Sequence, residues 1–149
     1  MINPFDDTYF MKKALLEAER AFEKGEIPVG AVIVVENRII AKGHNLTETL
    51  NDVTAHAEMQ AITAAANFLG GKYLQNCTLY VTLEPCQMCA GALYWSQISN
   101  IVYGTRDFER GCINLNTKLH PKTIIKGGVM EDEAADLLKR FFIQRRNLN

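Results

Sequence analysis

The sequence predicts an α/β fold, a three-layer α/β/α sandwich around a central five-stranded mixed sheet with helices on both faces. Three observations predict it. Short β-branched runs recur along the chain, stretches with helical spacing or high helix propensity separate them, and no repeat, linker or low-complexity segment interrupts the alternation. A length of 149 residues with 48% hydrophobic and 22% charged residues suits one domain, 1–149, that buries a single core.

The first element is a helix. Asp6, Asp7 and Thr8 offer capping groups, and Phe10, Ala14, Ala18 and Ala21/Phe22 then recur at helical spacing until Gly25. Val29 to Val35 is a β-branched run, Glu36-Asn37-Arg38 can turn, and Ile39-Ile40-Ala41 opens a second run that ends near His44-Asn45, which together make a hairpin. A polar loop from Leu46 to Val53 leads to the Ala-rich stretch Ala55 to Phe68, a helix stopped by Gly70-Gly71. Thr78 to Leu83 is the third strand. Pro85 suits a first helical position, and Cys86 to Trp95 continues that helix. Ile101-Val102-Tyr103 is the fourth strand, closed by Gly104, and the stretch from Thr105 to Thr123 is irregular with room for one short helical turn. Ile124-Ile125 is a weak fifth strand. Glu131 to Arg146 is a last helix whose charges complement its dipole, with Glu131, Asp132 and Glu133 at the start and Arg145 and Arg146 at the end.

Composition narrows the setting. No cationic leader precedes an apolar run, and the longest aliphatic stretch, Ala31 to Val35, is far too short to span a bilayer, so the expected compartment is the cytoplasm and no membrane partner is expected. Four cysteines there are no disulfide framework, and a Cys-x-x-Cys pair points to metal or redox work. A formal net charge of −1 makes no case for a nucleic-acid partner, which must rest on local features.

Two short runs carry the chemistry: Thr54-Ala55-His56-Ala57-Glu58 and, about 30 positions later, Glu84-Pro85-Cys86-Gln87-Met88-Cys89. Residues two apart on a helix point in nearly opposite directions, but in a first turn His56 and Glu58 can both reach something beyond the helix end. Cys86 and Cys89, three apart, share a face and can bind one ion as thiolates. Two helix starts then converge on the metal, and their positive ends favour thiolates and an anionic oxygen. Three nitrogen and sulfur donors leave a fourth tetrahedral position for water, whose pKa zinc lowers from about 15.7 to roughly 7. Glu58, a carboxylate beside the ion and not a ligand, fits as the group that moves the proton.

The His-x-Glu and Pro-Cys-x-x-Cys pair is the signature of zinc nucleobase deaminases. Over nearly its whole length the chain resembles the bacterial tRNA adenosine deaminase (TadA) family of the cytidine deaminase-like superfamily. The resemblance is carried by Ile27 to Val32, Gly43-His44-Asn45, Thr54 to Glu58, Leu79 to Ala92, Val102 to Asp107 and Phe141 to Arg146. It implies His56, Cys86 and Cys89 as ligands of one Zn²⁺ per subunit and Glu58 as the catalytic proton shuttle. For substrate binding it implies Asn45 as a base-edge hydrogen-bonder, Val29 as a pocket wall and the Ala57 amide as a base contact. It also implies a homodimer and a tRNA anticodon loop as substrate, deaminated from adenosine to inosine at the wobble position. One departure is Val53, where many members carry a proline that stiffens the loop.

Other readings stand beside these. Cys77, Cys112 and His120 are rival ligands for a structural zinc clip, although Cys77 before a strand reads as a buried small hydrophobe and Cys112 as a free thiol. His44 and His120 read as ordinary loop histidines, Asn45 as a turn residue, and Trp95 and Phe141-Phe142 as core or interface aromatics. From Leu137 to Asn149 the chain carries Lys139, Arg140, Arg145 and Arg146 and no acid, which suits an RNA backbone and equally suits the cation preference of a last helical turn. The alternatives to a tRNA enzyme are a free-base or nucleotide deaminase acting on guanine or cytosine, and a zinc-stabilised binding module without turnover.

Overall fold

In the computed structural model, which describes residues 3–147, the chain forms one mixed sheet in the order β2-β1-β3-β4-β5. The strands are β1 (Gly30–Val35), β2 (Arg38–His44), β3 (Thr78–Leu83), β4 (Asn100–Thr105) and β5 (Ile124–Lys126). β1 runs antiparallel to both β2 and β3, while β3, β4 and β5 are parallel. Four helices complete it: α1 (Asp7–Glu23), α2 (Ala57–Leu69), α3 (Gln87–Ser96) and α4 (Glu131–Asn147).

The period-2 alternation of the strands sorts their side chains between two cores. Ala31, Ile33, Leu79, Val81, Ile101 and Tyr103 pack with Ala57, Ala61 and Ala65 of α2 and Leu93 of α3. Val32, Val34, Tyr80 and Val102 face the other way, onto Phe10, Met11 and Ala14 of α1. Gly104 shares the parity of Val102, and a Cβ there would stand 3.1 Å from Ala134 of α4, so α4 lies on the α1 side. Helices therefore cover both faces.

Local chemistry accounts for the boundaries. Asp6 caps α1 by accepting the Tyr9 amide at 2.8 Å, and Gly70 ends α2 in the left-handed region at φ 71°. Glu36 and Asn37, at φ 50° and 62°, form a two-residue turn of the mirror-image kind that matches strand twist, so Arg38 already belongs to β2. Other boundaries also differ from expectation: α2 begins at Ala57 and not Ala55, because His56 takes its N-cap with extended backbone. Pro85 is not the first helical residue, because Cys86 takes the N-cap with extended backbone and pushes the helix start to Gln87. β4 continues through Gly104 to Thr105, held by its pairing with Leu83. The stretch after it is irregular as expected, and its isolated helical turns, such as the one closed by Leu115 N–H to Gly111 O, do not propagate into a helix.

The helices sit on the sheet at backbone range. A Cβ at Gly43 of β2 would fall 2.4 Å from the Ala57 carbonyl oxygen, and one at Gly30 of β1 only 2.1 Å from the Ala14 carbonyl oxygen. Rigid backbone cannot yield to that overlap. Gly43→Ala is expected to cost about 1–3 kcal/mol, and because it displaces the start of α2, to lower metal affinity as well. Urea unfolding and metal titration check this, and a variant with unchanged midpoint and affinity would refute the close-packing argument.

Candidate metal centre

Both halves of the motif lie at the start of a helix, the first at the end of the long loop that follows β2 and the second just past the end of β3. His56 is the N-cap of α2 and Cys86 the N-cap of α3, each with extended backbone (φ −72°, ψ 157° and φ −74°, ψ 176°) and neither using its side chain to cap. His56 thus stands outside the helix, and it and Glu58 line one cleft. The His56 Nδ1 lies 3.6 Å from Cys86 Sγ and 3.5 Å from Cys89 Sγ, and the three donor atoms fall within 4.8 Å of one another. Among the described residues no other group of histidine, cysteine and acidic side chains converges in this way. Cys77 is buried in the core, Cys112 is buried beyond the α3 start, and His120 packs against Tyr94.

The protonation of the cluster follows from its contacts. The Cys89 thiol bonds to Cys86 and, against the opposing effect of burial, lowers the Cys86 thiol to about 4, with His56 assisting. The same bond, reinforced by burial, raises Cys89. The bond to the Cys86 sulfur raises His56. Glu58 is 3% exposed, and burial raises its carboxyl from 4.5 to about 7.

The centre opens onto a cleft of about 570 Å³ at the edge where β3 and β4 end. Val29, Asn45, His56, Ala57, Glu58 and Cys86 all line it, whereas Cys89 is fully buried behind them. Asn45 is also a turn residue: its carbonyl accepts the Thr47 amide at 3.2 Å and its amide donates to the Ile27 carbonyl at 3.3 Å.

Sequence reasoning missed the residues that hold the cleft walls. Glu26, fully buried, accepts the backbone amides of Glu48 and Thr49 at 3.0 and 2.6 Å. Although burial pushes the other way, those bonds hold its carboxyl below the usual range. Glu84, 1% exposed, accepts Arg106 Nε at 2.9 Å and the amides of Asp107 and Ile113 at 3.1 and 2.8 Å. A Cβ at Gly111 would stand 2.4 Å from the Glu84 carboxylate, so only glycine lets the loop approach. This clasp sets the 106–110 segment along the cleft. The one sequence signal for it was the acid placed directly before Pro85-Cys86.

His44 is more than a loop residue. Its Nδ1 lies 3.2 Å from the buried Glu17 carboxylate and its Nε2 3.0 Å from Lys24 Nζ. At the basic end, Arg145 donates to the Gly25 carbonyl oxygen and Arg140 makes an exposed pair with Asp136 at 3.0 Å one turn away, while Lys139 and Arg146 are exposed. Leu148 and Asn149, which close that stretch, lie outside the described residues. Phe141 is core, and Phe142, 47% exposed, lines the cleft.

Comparison with known proteins agrees with this geometry. The model of the cytidine and deoxycytidylate deaminase zinc-binding region matches residues 5–105. A tRNA-specific adenosine deaminase from Aquifex aeolicus is 49% identical over 144 residues, covering 93% of this chain and 95% of the relative. The chain belongs to the tRNA-specific adenosine deaminases of the cytidine and deoxycytidylate deaminase family. A structure from work on A-to-I editing by tRNA:A34 deaminases at the wobble position of transfer RNA superposes with a TM-score of 0.82 at 41% identity, covering 87% of this chain and 99% of that one. A guanine deaminase from Bacillus subtilis matches with a TM-score of 0.64 at 42% identity, over 70% of this chain and 66% of that one.

Zinc is the cofactor of this deaminase, and the donor set fits it. Tetrahedral zinc with Zn–S about 2.3 Å and Zn–N about 2.0–2.1 Å sets nitrogen and sulfur about 3.5–3.6 Å apart, and the cluster has 3.5 and 3.6 Å. A divalent ion also replaces the proton shared by the two cysteines.

The buried Glu58 gives a pH signature once zinc is stripped by a chelator. Its folded pKa is raised, so its contribution to stability is complete below pH 4.5 and lost as pH rises through about 7. Zinc-free Glu58→Gln is therefore expected to be more stable than the zinc-free parent at pH 8, by up to about 3 kcal/mol, with the gap closing by pH 4.5. A gap independent of pH in urea unfolding would contradict this.

Proposed function

We propose that this chain hydrolyses adenosine to inosine at the wobble position of tRNA, reading the anticodon loop with the target base turned into the cleft. The observation that carries the chemistry is the buried Glu58 at the helix start beside His56, within the same cleft as Cys86. The choice of tRNA is supported by the Aquifex relative and the tRNA:A34 deaminase structure.

His56, Cys86 and Cys89 would hold the zinc, which when bound would supply a water acidified to near neutrality as the nucleophile. Glu58 takes a proton from that water as the oxygen adds to the ring carbon bearing the amine, and gives it to the adjacent ring nitrogen. It then moves the proton of the added hydroxyl to the amine, the carbon–nitrogen bond breaks as the carbon–oxygen double bond forms, and the amine leaves as ammonia. Burial of the Glu58 carboxyl favours its protonated form, which suits a group that takes up a proton and passes it on. Asn45 and the Ala57 amide orient the base, and Val29 walls it.

The chain is read as one domain, 1–149, working in the cytoplasm without a membrane partner and as a homodimer. Among the described residues no helix is long and apolar enough to cross a membrane. Trp95, 77% exposed, and Phe68, 62% exposed, supply apolar surface that a second copy would cover. Sedimentation at working concentration is expected to give twice the 16.7 kDa chain mass, and the single chain mass would reject the dimer.

A guanine-acting enzyme is the second reading, supported by the Bacillus subtilis guanine deaminase match. Zinc-loaded protein is incubated with an anticodon stem-loop and, separately, with guanine, cytosine and adenosine, and ammonia is measured. Release from the stem-loop alone is expected. Turnover of a free base with none on the stem-loop would overturn the proposal. Glu58→Ala is expected to keep its zinc and lose roughly 10²–10⁴-fold in turnover, and near-normal activity would remove Glu58 from the mechanism.

A further inference from the structure

Phe108 is 71% exposed yet lines the cleft, and the segment that carries it is tied down on every side. The Asp107 carboxylate accepts the amides of Glu109 and Arg110 at 3.1 and 2.9 Å, and Asn114 Nδ2 donates to the Phe108 carbonyl at 2.7 Å. The Arg106 guanidinium lies over the Phe108 ring at 4.8 Å while its Nε is anchored on the buried Glu84 at 2.9 Å. A large apolar side chain is thus held out in water by a rigid loop and buries little surface in return. Folding gains nothing from presenting it there.

The charges around it do not explain the segment. Arg106 is paired with Glu84, and Asp107 serves the loop's own amides, which leaves Glu109 against Arg110 with no net charge to attract a phosphate backbone. What the rim offers is a flat aromatic face. Every nucleobase has a π-face, and stacking on an aromatic side chain is the sequence-tolerant way to hold an unpaired base. An adenosine turned into the zinc cleft leaves its neighbours in the loop unstacked at the cleft mouth.

We propose that Phe108, held by Arg106 and the Glu84 clasp, is a stacking platform for the unpaired nucleobase adjacent to the target adenosine. It rests on the tRNA reading above and adds a specificity-determining contact to it. The platform grips RNA before and during the reaction equally, so its removal affects binding and not the chemical step. It also makes a structured loop a better substrate than a free nucleoside.

The test is steady-state deamination of an anticodon stem-loop by zinc-loaded parent, Phe108→Ala and Phe108→Trp proteins, with zinc content as the check on folding. Two further stem-loops carry an abasic site at one or the other neighbour of the target. Phe108→Ala is expected to raise KM roughly 5- to 100-fold with kcat within about twofold, and Phe108→Trp to retain parental values. One abasic RNA should weaken the parent by a similar factor and the alanine variant hardly further, because the two changes remove the same contact. Parental KM for Phe108→Ala, or a full abasic penalty in that variant on both RNAs, would overturn the platform. A parent protein inactive on the intact stem-loop would overturn the tRNA reading and the platform with it, a failure told apart because it does not depend on Phe108.

Discussion

A reactive metal centre requires three donors from distant parts of a chain to meet within a few ångström while the backbones that carry them stay apart. Strand direction meets that requirement here. β2 and β3 both run antiparallel to β1, and β4 runs parallel to β3, so all three end at the same edge of the sheet. Whatever follows each of them begins there: the loop into α2 with His56, the start of α3 with Cys86 and Cys89, and the segment after β4 that forms the rim. An extended N-cap residue then projects its side chain past the helix end, which a residue inside the helix cannot do. The ligand triangle is therefore a consequence of topology.

Around that edge, carboxylates do the positioning. Glu26 and Glu84 are buried and spend their oxygens chiefly on backbone amides of loops, and Glu17 bonds to Arg20 and His44. A buried carboxylate is costly unless its acceptors are filled, so a loop that moved away would leave an unsatisfied charge behind. That penalty keeps the connections at 46–52 and 106–113 in one conformation without regular secondary structure. Glu58 is buried too, but its environment favours the proton instead, so it does not act as a clasp of this kind.

The strands, the helices and the metal motif were legible because each is written in local pattern: period-2 apolar runs, Ala-rich helical stretches and a ligand spacing with few other uses. Val29, Asn45 and Ala57 could be named only through resemblance, since nothing in their own neighbourhoods distinguishes them. The expected helical start at Pro85 was off because proline preference speaks to φ and not to what the next side chain must reach. Glu84 and Glu26 were missed for a general reason: a carboxylate that bonds to backbone amides more than 20 residues away leaves no trace in the sequence of either partner. The basic C-terminal stretch was half informative, since Arg145 and Arg140 prove to be engaged within the protein.

The 106–113 segment divides its labour. Arg106, Asp107, Gly111, the Ile113 amide and Asn114 anchor it, whereas Phe108, Glu109 and Arg110 only face outward. Arg106 and Asp107 both anchor the segment and line the cleft, whereas the side chains of Phe108, Glu109 and Arg110 line it without holding the frame. Side chains at these three positions can be exchanged while Glu84, Asp107 and Gly111 keep the frame in place, so the segment is a natural place to graft a new surface.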